Sequence, residues 1–105
     1  MTETNVIGTY ADNNGKMIIL NSDNKSGIEV DAIDTVLTVF RNYRVIDGKW
    51  SLNKNMLSFN IADTNYKYLE HRYYEVSRTL FRKPIIWSWG PGRDKSNFER
   101  FSKIK

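Results

Sequence analysis

Short apolar runs, each closed by a cluster of turn-forming residues, recur along the whole chain. Val6–Tyr10 and Met17–Leu20 flank Asp12-Asn13-Asn14-Gly15. Asn21–Gly27 is a polar loop, and Ile28–Val30 and Thr35–Phe40 form the next two runs. Asp47-Gly48 lies between Tyr43–Ile46 and Lys49–Leu52, where it predicts a tight hairpin, since Asp-Gly supplies the positive φ such a turn needs. Asn53-Lys54-Asn55 predicts another turn. After it, Met56–Ile61 alternates, with Leu57, Phe59 and Ile61 on one face. Strands this short, at near-regular spacing, point to an all-β barrel or sandwich.

The stretch Tyr66–Phe81 fits two periods. Leu69, Tyr73, Val76 and Leu80 fall at helical spacing, while Tyr66, Tyr68, Tyr74, Val76 and Leu80 fit strand alternation. The density of Tyr, Thr and Val favours strand, with a break near Ser77–Arg78. Pro84 suits the first position of a strand, and Ile85–Trp89 follows it. Residues 90–97 read as a loop and Phe98–Ile104 as the last strand. At 105 residues, with no internal repeat or linker, residues 1–105 read as a single domain.

Gly8 is out of place by these rules. Glycine weakens a strand interior unless something must approach it closely. A first strand entering as Gly8-x-Tyr10, many antiparallel hairpins, and a closing strand Phe98–Ile104 that carries Arg100 together resemble the calycin superfamily, which comprises lipocalins and fatty-acid-binding proteins. Gly48-Lys49-Trp50-Ser51-Leu52 followed by Met56-Leu57-Ser58-Phe59 is similar to the meander of small bacterial lipocalin-like domains. The resemblance implies a small antiparallel up-and-down β-barrel of about eight short strands. It also implies that Arg100 lies across Tyr10 at the closed end, with Gly8, Tyr10 and Arg100 as the structural closure. Tyr10 stands where the family carries Trp, and the chain is short for a full calycin.

Composition narrows the chemistry. No cysteine is present, which removes disulfides, thiolate metal sites and Cys nucleophiles and leaves the compartment open, cytoplasmic or secreted after processing. No run approaches the apolar length of a membrane-spanning helix. Residues 1–40 carry two lysines against six acids, and residues 41–105 carry fourteen Lys and Arg against six acids; the halves are −4 and +8, giving the net +4. A basic C-terminal part attracts phosphate or acidic protein, although a closed sheet spreads sequence-local charge around its surface.

The catalytic inventory is poor. His71 is the sole histidine, and no acid lies at a spacing that would orient it. Asp31 with Asp34, and Glu70 with Glu75, read as solvated carboxylates. Asp12-Asn13-Asn14-Gly15 lacks the later Glu of a calcium loop. Gly90-Pro91-Gly92-Arg93-Asp94-Lys95-Ser96 is not a phosphate-binding loop of the nucleotide-hydrolase type, though Arg93 and Lys95 could hold an anion. No metal or cofactor is expected.

Aromatic residues, 13% of the chain, are the remaining signal. Trp87 and Trp89 share a strand face, as do Tyr66 and Tyr68 if they lie on a strand. With Arg93 and Lys95 these six residues form the expected binding set. The expectation is a non-enzymatic binding protein, taking a small apolar ligand in the barrel mouth or a protein partner through its loops, as an inhibitor or immunity-type protein would. Aromatics interleaved with Arg41, Arg44, Arg72, Arg78, Arg82 and Arg93 leave an OB-like barrel for single-stranded nucleic acid as the alternative.

Overall fold

The computed structural model describes residues 3–13, 15–31, 43–78, 83–89 and 99–105. Eight strands close into one antiparallel barrel, each pairing with its sequence neighbours and the last with the first. They are β1 (Gly8–Ala11), β2 (Met17–Leu20), β3 (Lys25–Asp31), β4 (Tyr43–Asn53), β5 (Met56–Ile61), β6 (Tyr73–Ser77), β7 (Ile85–Trp89) and β8 (Glu99–Lys103). A short helix, α1 (Glu3–Val6), precedes them, and a 3-10 helix (Thr64–His71) lies between β5 and β6. The up-and-down order means that strand ends alternate between the two mouths of the barrel.

Alternation decides what fills the interior. In β5 the buried positions are Leu57, Phe59 and Ile61; in β6, Tyr74 and Val76; in β7, Ile86 and Ser88 on the inner face and Trp89 at the strand's end. Tyr10, Ile18, Leu20, Ile28, Ile46, Trp50 and Phe101 complete the packing. The lower half of the barrel is therefore solid, as a narrow eight-stranded barrel tends to be. α1 sits at that end. Val6 is fully buried, and the Tyr10 hydroxyl donates to its carbonyl at 2.7 Å.

The first and last strands meet at Gly8. Tyr10 pairs with Lys103 and Ala11 with Ser102. The seam continues as Thr9 N–H donates to the Lys105 carbonyl and Ile104 N–H donates to the Thr9 carbonyl. Gly8 has φ +151°, and a Cβ there would collide with the Lys105 carbonyl oxygen and Lys103 Cε. The glycine is the price of letting the C-terminal backbone lie against β1. Arg100, however, does not reach Tyr10. It pairs with Trp87, is exposed on the outer face, and stands 5.6 Å from the centre of the Trp87 ring. Phe101 faces inward, so strand alternation turns Arg100 out. Lys103, not Arg100, is the basic residue opposite Tyr10.

Asp47-Gly48 is not a hairpin. Both residues lie in the middle of β4, an eleven-residue strand whose first half pairs with β3 and whose second half pairs with β5. The two neighbours overlap only at Gly48 and Lys49. A Cβ on Gly48 would stand 2.7 Å from both the Asn60 carbonyl oxygen and Ile61 Cδ1. The glycine is needed for close packing at this hand-over rather than for a turn. Positive φ occurs instead at Asn24 (64°) and Lys54 (57°), in the turns before β3 and β5. Lys25-Ser26-Gly27, expected in a loop, opens β3.

Tyr66–Phe81 divides. Thr64–His71 is the 3-10 helix, so Tyr66 and Tyr68 share no strand face. Tyr73–Ser77 is the strand, ending at the expected break. Asp63 starts the helix by accepting from the Asn65 N–H at 3.0 Å. Glu70 fixes its far end, its carboxylate accepting from the Ile61 N–H at 2.6 Å. β5 and β6 share only the pairs Met56–Glu75 and Leu57–Tyr74, and the helix covers the gap where β5 runs on. The expected run Thr35–Phe40 lies outside the described residues.

Candidate functional site

The other end of the barrel differs from the one α1 closes. β1, β3, β5 and β7 all end there, and a chamber of about 320 Å³ opens among their rims. Ile18, Ile28, Tyr74, Ser88 and Phe101 reach it from inward-facing strand positions. Leu69 and Tyr68 come from the 3-10 helix and Arg72 from the residue after it. Lys16 in the β1–β2 turn, Glu29 on β3 and Glu99 at the start of β8 complete the wall.

Charges in the chamber are linked. Lys16 Nζ lies 2.5 Å from Glu99 Oε2, and Arg72 Nη2 lies 3.4 Å from Glu99 Oε1. Arg72 Nε donates to Ser88 Oγ at 3.0 Å, which holds the guanidinium from below by a hydroxyl only 1% exposed. The Nη2 atom is buried and makes no hydrogen bond; its approach to Glu99 is a charge contact alone. Lys16 and Arg72 are matched by Glu99 and Glu29, so the charged wall is formally neutral. Glu29, 8% exposed, is occupied by the Met17 N–H at 3.1 Å. Burial raises the Tyr74 phenol far above its ordinary value, so it stays a neutral donor. A buried guanidinium donor without an acceptor costs free energy, and an incoming acceptor would relieve that cost.

The expected binding residues are spread over different surfaces. Trp87 and Trp89 do share a face, but it is the outer one. Trp87 Nε1 donates to Ser77 Oγ at 2.8 Å, and Trp89 stacks on Tyr73 with ring centres 6.0 Å apart. Tyr66 packs against the core, 5.7 Å from the Arg44 guanidinium, with Tyr68 6.2 Å away and 55% exposed. Of the four that are described, Tyr68 alone lines the chamber. Arg93 and Lys95 lie outside the described residues, in the connection between β7 and β8. His71 is exposed. Sequence reasoning named Arg72 among basic residues but missed Lys16, Ser88 and Glu99. Ser88 carried a signal, being a small polar residue between two outward tryptophans and therefore inward-facing.

Comparison with family models, with curated proteins and with solved structures gave no match.

Proposed function

We propose that this barrel is a non-catalytic binding protein of lipocalin-like design, and that it takes a small amphipathic molecule head-first into the rim chamber. An apolar tail would rest on Ile18, Ile28, Leu69 and Phe101, and a carboxylate or carbonyl head would accept from Arg72 and Tyr74. One observation carries the reading: the Arg72 Nη2 donor is buried beside a cavity without an acceptor. Lys16 and Arg72 supply the cations that an anionic head would meet. At about 320 Å³ the chamber suits a short chain, because the solid half below Ile18 leaves no room for a long fatty acid. Calorimetric titration with hexanoate tests this. Saturable binding that Arg72→Gln weakens at least tenfold, with dodecanoate failing to bind, is expected. Hexanoate binding equally to both proteins, or to neither, refutes it.

A second reading, protein recognition, draws on the outer face, where Trp87 and the exposed Arg100 set an aromatic and a cationic group side by side. Substitution of Trp87 would then abolish partner capture while hexanoate binding persisted. Salt-sensitive binding of an oligonucleotide would instead favour the nucleic-acid alternative.

A further inference from the structure

On the outer wall, where β4 passes from β3 to β5, one row crosses three strands: Lys25 pairs with Lys49, and Lys49 with Asn60. Like charges directly opposite on adjacent strands repel, and a protein gains nothing structural from such a pair. No described carboxylate neutralises Lys49. Lys25 has Asp23 only at 3.9 Å, with both side chains largely exposed. Along the row lies a groove of about 680 Å³. Asn60 and Asp47 flank it. Two cations directly opposite each other and an amide around one concavity are donors that an oxyanion needs.

We infer that this groove is a phosphate-binding site, distinct from the rim chamber, whose ligand is the phosphate group of a small phosphorylated compound. Lys25 and Lys49 supply the charge and Asn60 a directed donor. Asp47, on the same wall, accepts from a hydroxyl of the compound and disfavours a more highly charged anion. The groove is larger than a phosphate ion needs, which leaves room for the esterified part.

Amide chemical shifts followed during titration with inorganic phosphate and with glycerol phosphate, at ionic strength fixed with chloride, test the inference. Saturable shifts confined to Ser26–Gly27, Asp47–Lys49 and Asn60 are expected. Tighter binding of the ester identifies the esterified compound as the ligand, and equal binding identifies the phosphate group alone. Lys49→Glu should weaken either by at least tenfold, while Lys103→Glu leaves it unchanged. Because Lys49→Glu turns a repulsive cross-strand pair into an attractive one, it should not lower the melting temperature, and lost binding cannot be ascribed to misfolding. Shifts that stay linear, or a Lys49→Glu protein that binds like wild type, overturn the inference.

Discussion

Gly8 and Arg100 show how a residue's role depends on its neighbours across the sheet. Gly8→Ala should destabilise the fold by about 2–4 kcal/mol, since it adds a Cβ against the Lys105 carbonyl at a φ of +151°. Arg100→Ala removes only an exposed contact with Trp87 and should cost about 0.5 kcal/mol. Urea unfolding of both variants checks the contrast; equal losses would restore Arg100 to the closure. Tyr10 offers a pH test. Burial pushes its phenol up to about 12 from 10, so the folded state resists ionisation. The stability this contributes is complete below pH 10 and lost as pH rises from 10 to 12. Tyr10→Phe should reduce the alkaline dependence, leaving the share of the buried Tyr74 phenol, and, with the bond to Val6 gone, cost about 1 kcal/mol at neutral pH.

At the scale of elements, the seam between β5 and β6 is the weak place. Two residue pairs hold it, and the 3-10 helix stays in place partly through Glu70 and the Ile61 N–H. That hydrogen bond, helped by Lys67 at 3.6 Å, holds the Glu70 carboxyl below its ordinary value. The contribution is therefore present above the unfolded-state pKa and lost as pH falls through the lower folded value. Hydrogen exchange at the Ile61 amide, corrected for its intrinsic pH dependence, should lose protection on acidification, and Glu70→Gln should lose it already at neutral pH. Exchange insensitive to both would detach Glu70 from the helix.

This seam also marks where the sequence was hard to read. Strand alternation was plain in Met56–Ile61 because one face is buried and the other wet. Thr64–His71 has no such contrast: it buries Leu69 alone, and its start depends on one Asp63 cap. Asp47-Gly48 misled for another reason. The same glycine that permits a turn also permits two backbones to close on one strand, and only the pairing partners distinguish the cases. The Gly8 close approach was legible, because a glycine in a first strand demands a neighbour. Its basic partner was not, since whether Arg100 or Lys103 faces Tyr10 depends on a register that no local pattern records.

The whole molecule is a barrel with unlike ends. One is sealed by α1, Tyr10 and a solid core; the other is a small chamber ringed by Lys16, Arg72 and Glu99. The chamber could not be foreseen residue by residue, because its wall comes from β2, β3, β6, β7, β8 and two connections that only closure brings together. Glu99 holds two cations at once, so Glu99→Gln should raise affinity for a carboxylate head severalfold, as calorimetry with hexanoate would read. The most direct test of the account is a backbone amide shift map of the intact protein titrated with hexanoate. Saturable changes are expected at Ile18, Ile28, Leu69, Arg72, Tyr74 and Phe101, with Val6, Tyr10 and Leu20 at the sealed end unmoved. Changes centred on Trp87 and Trp89, or spread without saturation over the outer wall, would contradict it.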